Sequence, residues 1–112
     1  MRMIDLQELP LSPTSHDTNV FKKTMIANGV IPKLTTFSVG YLEAHQKTSE
    51  HVHQTMYEVF YMLQGSADFL VVGKGNILKA GQAIMIEPGE SHHQENHADQ
   101  QASWLYFGIA TD

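Results

Sequence analysis

From Val20 onward, Gly, Pro and Asn interrupt the chain so often that no window longer than about ten residues keeps an i, i+3, i+4, i+7 apolar pattern free of Gly or Pro. A chain punctuated in this way cannot bury its apolar residues on long helices. Between the interruptions lie short segments rich in β-branched and aromatic residues, at 20–26, 34–42, 57–63, 67–72, 76–79, 83–87 and 102–110. These read as strands. Asn28-Gly29, Gly73-Lys74-Gly75-Asn76, Lys79-Ala80-Gly81-Gln82 and Pro88-Gly89-Glu90 read as the reversals between them. Seven or more short strands spaced by about ten residues predict an all-β sandwich or small barrel. Only residues 5–9 have room for a helical turn. Residues 1–19, with Pro10, Pro13 and a weak apolar rhythm (Ile4, Leu6, Leu9, Leu11), read as an arm or edge strand, leaving 20–112 as one barrel domain.

At 112 residues a single domain buries about two-thirds of its unfolded surface and folds without staples. With no cysteine, disulfides and thiol chemistry are excluded. The balance of 7 Lys+Arg against 12 Asp+Glu, with no basic cluster beyond Lys22-Lys23, lacks the positive field that phosphate backbones require, so nucleic acid is not an expected partner. No apolar run approaches the ~18–20 residues of a membrane span, and the first residues carry no apolar leader segment. The chain is expected to be cytoplasmic.

Seven histidines in a chain of net charge −5 are the remaining oddity, and five of them fall in two windows, His51-Val52-His53 and His92-His93-Gln94-Glu95-Asn96-His97. In an extended segment residues i and i+2 share a face, so His51 and His53 project into one space. If Gln54-Thr55-Met56 reverses or bulges the chain, the next strand carries Glu58, Phe60 and Met62 on the same side. A second segment, opened by Pro88-Gly89-Glu90, brings His92 to that cavity. Three imidazoles and one carboxylate form a mixed N/O set suited to one divalent transition-metal ion: Mn, Fe, Co, Ni, Cu or Zn. Phe60 and Met62 should line the pocket, joined by one parity set of Trp104, Tyr106 and Gly108 or of Leu105, Phe107 and Ile109. His93 should face solvent, Glu87 water, and His16, His45 and His97 lie in polar loops. Tyr57 and Tyr61 face the other way.

His51, His53, Glu58 and Gly65 stand as H-x-H-x4-E-x6-G, and Gly81, Pro88, Gly89, His92 and Asn96 fall in a stretch close to G-x5-P-x-G-x2-H-x3-N. The two stretches, from Gly40 to Asn96, resemble the two motifs of the cupin superfamily, in particular its small single-domain members of the type-2 cupin kind. Two departures stand out. Ten residues separate Gly40 from His51 where the family's motif has five, and Glu87 occupies the first proline position with Pro88 one residue on. The resemblance implies a cupin-type antiparallel jelly-roll barrel with His51, His53, Glu58 and His92 as metal ligands. Gly65, Gly81 and Gly89 would be turn positions and Asn96 a structural residue. A metallo-β-lactamase-like site would instead read H-x-H-x-D-H, and a metal hydrolase on a TIM barrel needs ~250 residues.

A metal in a barrel mouth leaves positions open for water, oxygen or a chelating ligand. The expected function is therefore a metal-dependent enzyme on a small molecule, of dioxygenase or isomerase/lyase type, with Glu58 able to accept a substrate proton as well as to ligate. The alternative is a non-catalytic cupin that binds, senses or stores a small ligand. The walls should be apolar, and with Lys and Arg absent from both motif regions, Lys47 excepted, the pocket should suit a compact, partly aromatic or apolar ligand better than a polyanion. Homodimerisation is expected, with residues 4–11 pairing across subunits because the arm has no obvious partner in its own sheet.

Overall fold

The computed structural model describes residues 1–112 as nine strands in two antiparallel sheets. β1 (Ser12–Pro13), β2 (Phe21–Ile26), β3 (Leu34–Leu42), β9 (Ala102–Ala110), β4 (Met56–Gln64) and β7 (Ala83–Ile86) lie side by side in that order in the larger sheet. The smaller sheet runs β6 (Ile77–Lys79), β5 (Ser66–Val71), β8 (His92–Glu95). The only helical element is a 3-10 turn at Leu6–Glu8, capped by the Asp5 carboxylate on the Gln7 N–H. The architecture is the jelly-roll sandwich expected from the sequence.

Alternation of side chains along β4 and β9 builds the core between the sheets. Phe60 and Met62 from β4, Ala67 and Phe69 from β5, Leu78 from β6, Ile86 from β7, and Ala102 and Trp104 from β9 are buried in one cluster with Val20 and Leu42. Its aromatic members meet edge to face, Phe60 and Phe69 at 5.2 Å and Phe69 and Trp104 at 5.5 Å, an arrangement favoured by the ring quadrupoles. The opposite parity of the larger sheet faces outward. The pairings Tyr57↔Ile109 and Val59↔Met85 put these four residues on one apolar outer face together with Tyr61.

Three local readings are corrected. β8 carries His-His-Gln-Glu, which has no apolar alternation and is absent from the predicted strands; it forms because it pairs with β5 and because its inward side chains find polar partners, His92 on Glu58 and Gln94 Oε1 accepting from the Thr48 hydroxyl. The arm does have a partner within its own sheet, since Ser12 and Pro13 pair with Lys22 and Phe21 of β2, and Lys23 Nζ donates to the Leu6 carbonyl. The reversal expected at residues 73–76 is instead a two-residue hairpin at Val72-Gly73, closed by reciprocal Val71 and Lys74 backbone bonds of 2.8 and 3.0 Å. Both central residues have positive φ, +50° at Val72 and +76° at Gly73. Register has overridden the preference of a β-branched residue.

Candidate metal centre

Backbone hydrogen bonding draws the two histidine windows together. His51 and His92 exchange N–H···O bonds of 3.0 and 2.9 Å, forming an isolated antiparallel bridge. Only His51 of the first pair makes a bridge, so the two rings converge from an extended loop rather than from a regular strand. The His53 carbonyl accepts the N–H of Gly89 at 2.8 Å. Gly89 sits in the turn at residues 88–90 with φ +86°, a conformation that costs glycine nothing and other residues about 1–2 kcal/mol. Glu58, two residues into β4, arrives from the opposite wall.

One donor atom from each of His51, His53, Glu58 and His92 lies within 4.8 Å of the others. Glu58 Oε1 is 3.0 Å from His92 Nε2 and 3.5 Å from His53 Nε2. The far nitrogens of two rings are held by carbonyls. His51 Nδ1 donates to Ser49 O at 3.1 Å and His92 Nδ1 to Glu90 O at 2.9 Å, which turns both Nε2 atoms inward. Such outer bonds fix the tautomer a metal ligand needs. His92 and Glu58 are 1 % and 7 % exposed, while His51 and His53 are half-buried at the open side.

The rings differ electrostatically. Burial is the largest influence on His51 and lowers its pKa below the usual 6.5, opposed by the Ser49 carbonyl. Burial likewise lowers His53, opposed by the Glu58 charge. For His92 burial also pulls downward, but the hydrogen bonds to Glu58 and the Glu90 carbonyl outweigh it and the pKa is raised. Both nitrogens of His92 face acceptors, Nδ1 the Glu90 carbonyl and Nε2 the Glu58 carboxylate. The contact between Nε2 and the carboxylate lies within the donor cluster, where a cation would lie. Two neutral imidazoles, a third paired with a carboxylate, and carbonyls behind two rings fit a borderline transition-metal ion.

His51, His53 and Glu58 line a cavity of about 400 Å³, with His92 buried behind them. Phe60 lines it, as does the Trp104 and Tyr106 parity of β9. Met62, expected in the wall, lies wholly within the core cluster and does not reach the cavity. Tyr106 stacks on Phe60 at 5.5 Å, and burial and the Glu58 charge push its hydroxyl up to about 12. The wall keeps the expected apolar surface but is interrupted by polar side chains: Thr35, Thr36, Thr48 and Gln94 line it, with Lys22 from β2 as a cation outside both motifs. Nothing in the sequence marked these particular residues as wall, although Lys22, Thr35 and Thr36 lie on strands legible from its pattern. Glycine makes room at two places. A Cβ at Gly40 would come within 2.6 Å of the Trp104 indole nitrogen, and one at Gly108 would run into Thr35 Oγ1 and Met56 Sδ.

His16 lines the cavity, its ring stacked on His51, and no local signal could have placed it there from the sequence. His93 points out of the sandwich but is half-buried and bonded to Glu95 at 2.8 Å. Glu87 is exposed, while His45 and His97 sit at the surface beside Asp99 and Glu95. Asn96 is buried, its amide donating to the carbonyls of Leu42, Glu43 and Gln100 and its oxygen accepting Ala98 N–H.

A jelly-roll sandwich with three imidazoles and a carboxylate converging beside a cavity is an arrangement that can hold one metal ion. The chain belongs to the cupin family: the family model described as "Cupin domain" matches residues 39–108, more than half of it. A curated oxalate-binding protein of Thermotoga maritima is 34 % identical over 55 residues, a stretch that covers 49 % of this chain and 46 % of that protein, less than half its length. A crystal structure from T. maritima described as a predicted oxalate decarboxylase superposes with a TM-score of 0.89 at 23 % identity, over 97 % of this chain and 99 % of that one. The polyketide cyclase RemF of Streptomyces resistomycificus gives a TM-score of 0.83 at 16 % identity, over 100 % and 80 %. At these identities the two structures show the fold alone. No helix is long and apolar enough to cross a membrane.

Proposed function

We propose that this cupin is a metal-dependent protein that takes a small, oxygen-rich chelating molecule into its cavity, with oxalate as the first ligand to test. The observation that carries the reading is the convergence of four donor atoms, three of them from residues lining a cavity whose wall also carries threonine hydroxyls and one lysine. A transition-metal ion bound there supplies Lewis acidity and an open position for a ligand oxygen. The chain's own groups do the rest. Lys22 offsets ligand charge, the threonine hydroxyls offer hydrogen bonds, and Tyr106 stays protonated through neutral pH and can only donate or accept as a neutral phenol. Glu58, whose carboxylate faces His92 Nε2 at 3.0 Å and the cavity, is the group placed to accept a proton from the ligand. That role makes the reading enzymatic, of isomerase/lyase or dioxygenase type, in the cytoplasm. The oxalate-binding relative favours a second reading, binding without turnover.

The test begins with elemental analysis and reconstitution with Mn(II), Fe(II) and Co(II). Near one ion per chain in the wild type, and a loss in Glu58→Gln beyond the about 10–100-fold that loss of an outer partner costs, is the expected result. Calorimetry with oxalate and related dicarboxylates, followed by product and oxygen-uptake assays, separates binding from turnover. A wild type that cannot be loaded overturns the proposal.

The homodimer is proposed through a different surface from the arm. The outer face built by Tyr57, Val59, Tyr61, Met85 and Ile109 is apolar and exposed in part, whereas residues 12–13 are already paired in their own sheet.

A further inference from the structure

The loop between β1 and β2 lays a third segment on the metal cluster. His16 lies ring on ring against His51, with centroids 4.1 Å apart and planes within 19° of parallel, and 5.8 Å from the His53 ring. The next residue, Asp17, accepts the Ser49 N–H across its two carboxylate oxygens at 3.1 and 3.0 Å and the Ser49 hydroxyl at 2.5 Å. Ser49 in turn presents its carbonyl to His51 Nδ1. Thr14 braces the loop from within, its hydroxyl bonded to both the N–H and the carbonyl of Asp17 and its own N–H to the Val20 carbonyl. The Asp17 carboxylate, the Ser49 backbone and the His51 ring are thus linked in series, and His16 covers one face of that ring.

His16 is not a fifth ligand in this arrangement. The lone pair of an imidazole lies in the plane of its ring, so an ion shared by two rings must lie in both planes. Two stacked, nearly parallel rings have no such point close by. What a stacked ring and an anchored carbonyl can do is hold His51 in one orientation and one tautomer, with Nδ1 protonated and Nε2 free to face the cluster.

We propose that the 14–17 loop is a clamp on the metal centre, with His16 and Asp17 as positioning residues that act through His51. The proposal rests on the reading that the cluster binds a metal. It places determinants of metal retention outside both sequence motifs, on a segment the motifs give no reason to inspect.

The metal-free protein supplies the first test. Long-range nitrogen–proton NMR at mildly alkaline pH should show wild-type His51 protonated on Nδ1 alone, and Asp17→Ala and His16→Ala should give a mixed tautomer population. After Co(II) loading, transfer of the ion to a chelator should run about tenfold faster or more in both variants, the loss typical of an outer partner. His16→Phe, which keeps a stacking ring and removes the nitrogens, should restore slow release and the wild-type Co(II) absorption spectrum. If all four proteins load but release at one rate with the same His51 tautomer, the clamp is overturned. If the wild type takes up no metal, the metal reading falls, and the tautomer comparison alone then decides the clamp: mixing supports it and an unchanged ring refutes it.

Discussion

Gly89 offers a way to separate the geometry of the site from the stability of the barrel. Its φ of +86° excludes a side chain cheaply only in glycine, yet a Cβ there would meet nothing closer than Gln54 Oε1 at 3.9 Å. Gly89→Ala therefore adds no clash, and its cost is the conformational one, about 1–2 kcal/mol. In a domain of this size that lowers Tm by about 4–8 °C. Gly81 is the matched control. It has φ +90°, open space around its Cβ position, and an N–H on the Met62 carbonyl at 2.9 Å, but it lies in the β6–β7 turn away from the ligands. Gly81→Ala should lose the same stability. The two should part at the metal, because relaxing residue 89 toward negative φ disturbs the bond to the His53 carbonyl and with it the spacing of His53 and His92. Circular dichroism melts of the metal-free proteins give the first quantity and Mn(II) titration calorimetry at 15 °C, a temperature chosen on the order of tens of degrees below a typical Tm, gives the second. Equal losses of metal affinity in both variants, or none in Gly89→Ala despite its lower Tm, would refute the coupling.

Three further outcomes are expected. In the metal-free protein His51 and His53 titrate below 6.5, so the unfolded chain takes up protons first as pH falls and stability declines on the acid side. His92 titrates above 6.5, so stability from that group is present at low pH and is lost as pH rises through its raised pKa. Urea unfolding across about pH 5–8 should show a maximum near 6.5, with the alkaline limb flattened in His92→Gln; a monotonic profile contradicts the assignment. Val72→Asn should raise stability by about 1 kcal/mol, since Val72 is 69 % exposed and Asn-Gly suits two consecutive positive φ values; an unchanged denaturation midpoint would mean the hairpin is not held as described. Tyr61→Glu on the outer sheet face should convert dimer to monomer in light scattering, whereas removing residues 1–11 should not; the reverse result would return the interface to the arm.

The strands that could be read from the sequence are those flanked by turn residues and filled with apolar alternation. Residues 34–42 and 102–110 stand where the pattern put them, because burial on one face and hairpins at the ends demand the same period. The four clustered donors were legible for a related reason, since two imidazoles at i and i+2 and a histidine just after a turn are local signals. What was not legible is held by long-range pairing. β8 owes its existence to pairing with β5 and to Thr48 and Glu58 meeting its polar inward side chains. His16 depends on a carboxylate that grips Ser49, 32 residues further along the chain. The polar part of the wall comes from Lys22, Thr35 and Thr36 outside the motifs and from Thr48 and Gln94 at positions the motifs leave unspecified. Val72 shows the opposite case, a local preference read correctly and overruled by strand register.

The bridge between His51 and His92 also has a kinetic consequence. Glu58 and His92 are separated by 34 residues, and the donors converge only after β4, β8 and the loop before β4 have docked, so the unfolded chain contains no preformed version of the site. Loop closure of that kind comes late in the assembly of sandwiches rich in distant contacts. An ion that recognises the finished cluster cannot seed folding and can only act as a latch on the product. The stabilisation from an ion held there should therefore fall almost wholly on the unfolding rate, leaving refolding unchanged, so that metal supply would set how long each folded molecule lasts rather than how fast new ones form.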